Sequence, residues 1–203
     1  AGKQYGLASR FYPCADILII AFKTLVALDK FYYTARMNVK KTKIHFLPFI
    51  LTLIVIGSDQ ISKALIVRSI TPWSVGYEFL NGFLRIVCVY NTGAAFSLGH
   101  GLSEVMRLVM LGVLPSAFIL AICVVYFTSS FTVAQRWFLC GIIGGGISNL
   151  LDRFFRVQGV VDFIDVKFFG IFGMERWPTF NIADSVIVVC AAGLFVTIVM
   201  QEL

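Results

Sequence analysis

Two aspartates in the C-terminal part of the chain could carry out acid–base chemistry. Asp162 follows a Val-Val pair, and Asp184 lies three residues after Asn181. Two carboxyl groups held close together cannot both ionise cheaply, so they share a proton and their pKa values separate. The ionised group can then take a proton from water, while the protonated group donates one to a carbonyl oxygen. That combination is sufficient for hydrolysis of an amide bond.

Other polar residues lie in or beside apolar stretches, where each one is costly unless it is paired or hydrogen-bonded. Asp59 and Lys63 are four residues apart, so a helix would place both on one face. They could form a structural ion pair between helices or take part in chemistry directly. The further candidates of this kind are Asn91, Asn149, Asp152 and Arg153. Of these, Asp152 and Arg153 could either anchor the chain at a membrane interface or position a substrate.

The two aspartates themselves also have structural interpretations. Asn181 and Asp184 match a helix N-terminal cap followed by an acid at the positive end of the helix dipole. Asp162 could be a loop residue in a turn, and we expect Asp165 to be one. Spacing alone therefore leaves both a catalytic pair and a set of cap and turn residues open.

The composition is that of a membrane protein. Of the 203 residues, 59% are hydrophobic and 14% are charged, and the mean hydropathy is +0.87. Soluble domains carry about 25% charged residues, so too little polar surface is available here to cover the apolar mass. The net charge of +6 comes from 17 basic residues strung along the chain rather than from one patch. We therefore expect a membrane protein and no nucleic-acid partner.

Cysteine and histidine are not spaced as metal ligands. The five cysteines form no CxxC pair, the two histidines are isolated, and no HExxH run occurs. Cysteines within apolar stretches behave as small hydrophobic residues. We expect neither a disulfide framework nor a zinc site.

Four stretches are predicted to span a membrane, which takes about 20 apolar residues per helix. They run from about Ile44 to Val67, Val105 to Phe127, Trp137 to Leu151 and Ile182 to Met200. The third is short and rich in glycine, which favours close packing of a neighbouring helix. The predicted fold class is therefore mainly α, with four transmembrane helices.

Basic residues before the first span indicate the orientation. Arg36, Lys40, Lys41 and Lys43 place that end in the cytoplasm, although the basic residues of later loops do not add to this bias. With four spans, all the candidate polar residues then fall on the outer side. The cytoplasmic connection Thr128–Arg136 contains no comparable cluster. This one-sided distribution indicates a functional site.

The outer segments lie near residues 68–102 and 154–180. The first contains Gly76–Tyr90, in which Asn81-Gly82 favours the positive φ angles of a tight type I′ hairpin turn. The second is predicted to form short strands and turns. Residues 1–36 include an apolar run that is too short to span a membrane. We expect 1–36 to be an N-terminal extension outside a catalytic unit formed by residues 37–203.

Three other functions are compatible with parts of this pattern. A channel or transporter would need polar groups through the whole membrane depth, and a scaffold would not need two acids flanked by asparagines. A serine–lysine peptidase would use Ser62 and Lys63. Adjacent helical residues point about 100° apart, so these two side chains are badly placed to cooperate.

Five runs occur in a characteristic order. They are Ser58–Lys63 (SDQISK), Asn91–Phe96 (NTGAAF), Gly145–Arg153 (GGISNLLDR), Val160–Phe163 (VVDF) and Phe180–Ser185 (FNIADS). Together they resemble the lipoprotein signal peptidase, or signal peptidase II, family of aspartyl peptidases. The resemblance covers Met37 to the C-terminus, and residues 1–36 match nothing in it.

The resemblance implies a bacterial inner-membrane endopeptidase whose active site faces the outer side and uses no metal or organic cofactor. It would cut prolipoproteins just before a diacylglyceryl-modified cysteine, and its partners would be that substrate and membrane lipid. The catalytic residues would be Asp162 and Asp184, and a small β-cradle would lie at the membrane surface. The supporting residues would be Asp59, Lys63, Asn91, Gly93, Asn149, Asp152, Arg153 and Asn181. One departure is Ser148, where the family usually has glycine; serine is nearly as small, so helix packing should survive.

Overall fold

The computed structural model describes residues 46–93 and 103–202, most of which form four long apolar helices. Helix α1 is Phe49–Ser69, α3 is Val133–Phe155 and α4 is Ile182–Glu202, while α2 joins Glu104–Leu108, a π-helical turn Val109–Val113 and Leu114–Thr128. All four are long and apolar enough to cross a membrane, which confirms the predicted fold class. The predictions for residues 1–36 and for the end of the NTGAAF run lie outside the described residues.

Helix α3 is longer than predicted at both ends. It covers Val133–Phe155 instead of Trp137–Leu151. A capping box starts it early: the Thr132 hydroxyl accepts a hydrogen bond from the backbone N–H of Gln135, and the Gln135 side chain accepts one from the N–H of Thr132. The prediction stopped at the polar residues because it counted only apolar ones.

Glycines on α3 allow two neighbouring helices to approach closely. A Cβ atom added to Gly144 would lie 3.0 Å from the Cα of Thr52 on α1. One added to Gly145 would lie 2.7 Å from the carbonyl oxygen of Ala183 on α4. The second distance is shorter than real Cβ contacts and the first is tighter than most of them, so glycine at these positions allows the close packing. The prediction that the glycine-rich stretch serves helix packing is confirmed.

A three-stranded antiparallel sheet lies at one end of the helix bundle, here called the sheet end. Strands β1 (Val75–Phe79), β2 (Leu84–Asn91) and β3 (Val160–Val166) are arranged in the order β1-β2-β3. Helices α1 and α3 each end shortly before a strand, β1 and β3 respectively. Helices α2 and α4 each begin after a strand, β2 and β3 respectively. The sheet therefore brings segments distant in sequence to the same end of the bundle.

The predicted hairpin forms, with a longer connection than a two-residue turn. Phe79 pairs with Leu84, so four residues join the strands. Asn81 and Gly82 have the expected positive φ angles, 52° and 80°, and Leu80 has one of 52°. Positive φ angles at three successive positions reverse the chain within this wider loop.

Asp162 and Asp165 lie in strand β3 rather than in turns, so the prediction of a turn at Asp165 is wrong. The β-branched residues around them favour an extended backbone. Val161 belongs to a buried apolar cluster with Ile70, Cys88 and Tyr90, and because side chains alternate along a strand, Asp162 points to the opposite face of the sheet, where it is also buried. Asp165 forms an ion pair with Arg176, with an O–N distance of 2.6 Å.

Candidate active site

The Asp162 carboxylate is buried and held by two amide groups. Its Oδ1 accepts a hydrogen bond from Nδ2 of Asn181 at 2.8 Å, and its Oδ2 accepts one from Nδ2 of Asn91 at 3.0 Å. Burial, assisted by the neighbouring charge of Asp184, raises the pKa of Asp162 from 3.8 to about 7, against the lowering effects of the two amides and of Lys63. A carboxyl group with such a pKa can hold or release a proton near neutral pH.

The Asp184 carboxylate lies in the first turn of α4 and is also held by two N–H donors. Its Oδ1 accepts from Nδ2 of Asn149 at 2.7 Å, and its Oδ2 accepts from the backbone N–H of Asn181 at 3.2 Å. In return, the Asn181 side-chain oxygen accepts from the backbone N–H of Asp184 at 2.9 Å. Asn181 therefore caps α4, as the sequence indicated, and this cap also fixes one catalytic candidate.

Two asparagines connect the carboxylates to each other. Nδ2 of Asn181 donates to both Oδ1 of Asp162 and Oδ1 of Asn149, the latter at 3.1 Å. Each of the four carboxylate oxygens thus receives one N–H, which leaves further acceptor capacity for a water molecule or a shared proton. Asp162 and Asp184 line the same cleft, which has a volume of about 780 Å³.

Lys63 lies behind this pair and has no exposed side-chain surface. Its Nζ is 2.6 Å from Oδ2 of Asp59 and 2.8 Å from Oδ2 of Asp152. It also donates to the side-chain oxygen of Asn149 at 3.0 Å. Because that oxygen faces the lysine, the amide nitrogen of Asn149 must face Asp184. Lys63 therefore sets the orientation of an amide that contacts the candidate dyad.

Further residues that sequence analysis did not assign to the site hold these buried acids. Asp59 accepts hydrogen bonds from the backbone N–H of Ala183 at 3.0 Å and from the hydroxyl of Ser148 at 2.7 Å. Gln60 donates to Ser148 and to Asp152, both at 3.1 Å. Ser148 fits into the helix packing as expected, and its hydroxyl adds a hydrogen bond that glycine could not supply. The position of Gln60 inside the SDQISK run is the signal that could have found it.

Arg153 and Gly93 complete the network on the side of the sheet. Arg153 Nη2 donates to the carbonyl oxygen of Gly93 at 3.1 Å, and the N–H of Gly93 donates to the side-chain oxygen of Asn91 at 3.0 Å. The sequence analysis did not assign Arg156 to the site. Arg156 forms an ion pair with Asp152, four residues earlier, with an N–O distance of 2.8 Å. All ten residues predicted for the site therefore belong to one connected set of polar contacts.

Comparison with known proteins decides the family. Residues 51–200 match the family described as Signal peptidase (SPase) II, which is well over half of the chain. The chain belongs to the signal peptidase II family. It is 54% identical over 166 residues to the lipoprotein signal peptidase of Treponema denticola, covering 81% of this chain and 94% of that protein. It is 49% identical over 158 residues to that of Treponema pallidum, covering 77% and 85%. The resemblance seen in the five runs is therefore confirmed.

Solved structures support the fold of this signal peptidase II family member. One is described as a "Bacterial membrane enzyme structure by the in meso method" at 2.3 Å resolution. Its TM-score is 0.68 and its sequence identity is 22%, and the match covers 81% of this chain and 94% of that chain. A second, at 1.9 Å, gives a TM-score of 0.65 and 23% identity, and covers 79% and 97%. With its four apolar helices, the chain is a multi-pass bacterial membrane protein, and its family implies a protease.

The serine–lysine alternative is not supported by the contacts of this family member. The Ser62 hydroxyl donates to the carbonyl oxygen of Ser58, one turn earlier on α1, at 2.7 Å. Lys63 directs its three N–H groups to two carboxylates and one amide oxygen. A lysine with all its protons engaged in this way has no lone pair free to activate a serine.

The end of the bundle opposite the sheet also holds buried polar side chains, which the sequence analysis did not anticipate. Arg136 donates to the carbonyl oxygens of Tyr126 at 2.9 Å and Ser129 at 3.4 Å. Gln135 donates to the side chain of Gln201 at 3.0 Å. These contacts tie α3 to the ends of α2 and α4, and they contain no pair of acids. We interpret this cluster as structural.

Proposed function

We propose that this chain is an aspartyl endopeptidase that removes signal peptides from bacterial prolipoproteins by cutting just before the diacylglyceryl-modified cysteine. The observation that carries this proposal is the pair of buried carboxylates, Asp162 and Asp184, which line one cleft and are joined through Asn149 and Asn181. Family membership and the names of the Treponema relatives supply the substrate class.

In this proposal the two carboxyl groups share one proton and activate water between them. The ionised group takes a proton from the water as its oxygen bonds to the carbonyl carbon, and the protonated group donates to the carbonyl oxygen. The tetrahedral intermediate then breaks its C–N bond. A hydroxyl group of the intermediate gives its proton to the carboxyl group that is now ionised, and the carboxyl group that is now protonated gives its proton to the departing amine. One water is consumed, and both carboxyl groups regain their starting states. Asn91, Asn149 and Asn181 hold the carboxylates in place during these transfers.

The walls of the cleft favour a lipid-modified substrate. Besides the dyad and its amides, the cleft is bordered by apolar side chains, among them Val89, Ile187, Val188 and Val189. Val188 and Val189 lie on α4 and are each 67% exposed in the isolated chain. A surface of this kind inside a membrane span is suited to acyl chains and to an apolar signal peptide.

The same logic supports the proposed location of the site. Basic residues before α1 place the N-terminal end of the bundle in the cytoplasm. The sheet end, with the dyad, then faces the outer side of the inner membrane. A diacylglyceryl group keeps its acyl chains in the outer leaflet, so the bond to be cut would be held near that surface, where water is available.

Cleavage of defined substrates by the purified chain tests the proposal. We expect a diacylglyceryl-modified prolipoprotein to be cut at one position, leaving the lipidated cysteine as the new N-terminus, as read by mass spectrometry. The unmodified precursor should be cut at least about 100-fold more slowly, because it lacks the acyl chains that would hold it in the apolar cleft. Equal cleavage of both precursors, or cuts at several positions, would contradict the proposed specificity.

A further inference from the structure

A second cavity of about 360 Å³ lies beside the dyad cleft, and neither Asp162 nor Asp184 lines it. It is formed by the first turns of α2, the end of α3 and the end of β2. Asn91 and Arg153 border both cavities. Three arginines, Arg107, Arg153 and Arg156, line it together.

The positive charge around this cavity is only partly neutralised. Arg156 pairs with Asp152, but Lys63 shares that carboxylate, with N–O distances of 2.8 Å in both cases. Arg153 donates to a neutral carbonyl oxygen and is within electrostatic reach of the dyad. Arg107 is exposed and has no ion pair within the described part of the chain. Guanidinium groups that line one cavity favour an anion, such as phosphate, that accepts several hydrogen bonds.

The other half of the cavity is apolar and belongs to the membrane-spanning helices. Leu108 and Leu111 of α2 and Phe154 of α3 line it. Leu108 and Phe154 are 57% and 54% exposed in the isolated chain, so this side is open to the surrounding bilayer. In a membrane phospholipid the phosphate lies at the surface and the acyl chains lie deeper. The arginines at the helix ends and the apolar side chains next to them follow the same order. A free anion would use only the upper half of this surface.

We propose that this cavity binds a glycerophospholipid of net negative charge. Its phosphate would lie between Arg107 and Arg156, and an acyl chain would lie against Leu108 and Phe154. The three arginines that line the cavity would repel the cation of a choline headgroup, so an uncharged glycerol headgroup is favoured. This inference does not rest on the proposed peptidase activity, because lipid binding is measured without substrate.

The test measures lipid binding to the purified full-length chain by native mass spectrometry. Parent protein is titrated with phosphatidylglycerol and with phosphatidylcholine, and inorganic phosphate is added as a competitor in a separate series. We expect Arg107→Gln to weaken phosphatidylglycerol binding about tenfold through loss of one charge-assisted contact. Arg68→Gln is the matched control, since Arg68 is an exposed arginine at the sheet end of α1 that does not line the cavity.

Three results would overturn the proposal. One is equal phosphatidylglycerol affinity in Arg107→Gln and Arg68→Gln. Another is equal affinity of the parent for the two lipids. The third is displacement of the lipid by inorganic phosphate at millimolar concentration, which would indicate a site for the free anion. Thermal unfolding of each variant in detergent checks its folding, and Arg107→Glu, which reverses the charge at the same exposed position, should abolish the preference for phosphatidylglycerol.

Discussion

Replacing either Asp162 or Asp184 by asparagine is expected to lower kcat/KM for prolipoprotein cleavage about 10²–10⁴-fold, which is the usual contribution of a general acid or base. Asparagine keeps the size of the side chain but can neither take a proton from water nor return one. Because the two groups act as a unit, the double variant should be little slower than the slower single variant. The measurement is single-turnover cleavage of a diacylglyceryl-modified prolipoprotein with enzyme in excess.

Asp165→Asn is the matched control for these variants. Asp165 lies on the same strand as Asp162, but it pairs with Arg176 and takes no part in the dyad network. Because its carboxylate is held by Arg176 and not by the dyad amides, we expect no more than about a fivefold change in rate, which corresponds to about 1 kcal/mol. Thermal unfolding checks that each variant is folded. Near-parent activity in a folded Asp162→Asn or Asp184→Asn variant would show that the residue is only a strand or cap residue.

Replacing Lys63 by methionine is expected to lower the free energy of unfolding by about 3–5 kcal/mol, the usual cost of leaving a buried charge without its partner. Methionine fills similar space but leaves Asp59 with no cation, while Asp152 keeps only Arg156. Cleavage should also slow, because the Asn149 amide loses the contact that sets its orientation. Unfolding in detergent by SDS titration measures the change in stability.

Arg68→Met provides the control on the same helix. Arg68 is exposed, and substitutions at such positions usually change stability by less than about 0.5 kcal/mol. Adding Asp59→Asn to Lys63→Met should restore part of the lost stability, since it removes one uncompensated negative charge. A loss below about 1 kcal/mol in Lys63→Met, or no recovery in the double variant, would mean that the buried charges are not coupled as their distances indicate.

Features that depend on nearby residues could be predicted from the sequence. The four-residue spacing of Asp59 and Lys63 predicted their ion pair, and Asn81-Gly82 predicted the hairpin and its positive φ angles. The apolar stretches predicted four spans. In each case the cause is local: helical periodicity, the steric freedom of a turn residue, or the thickness of a bilayer.

Features that depend on distant parts of the chain could not be predicted from spacing. Lys63 contacts Asn149 and Asp152, which follow it by more than eighty residues, and only the packing of α1 against α3 brings them together. The β-branched residues around Asp165 favour an extended backbone, but its pairing with Arg85 of β2, eighty residues earlier, could not be predicted from local spacing. Gln135 and Arg136 at the start of α3 contact Gln201 and Tyr126 on other helices, and local spacing could not predict these partners, although the capping box that starts the helix is a local pattern.

Single-turnover cleavage measured between about pH 5 and 9 tests the shared proton most directly. One carboxyl group must be ionised and the other protonated, so the rate should follow a bell-shaped curve. Because the pKa of Asp162 is raised to about 7, the pair should lose its shared proton, and the rate should fall, as the pH rises through that region. At low pH both groups are protonated and the rate should fall again. A rate that keeps rising to pH 9 would contradict a catalytic carboxyl pair and indicate a different base.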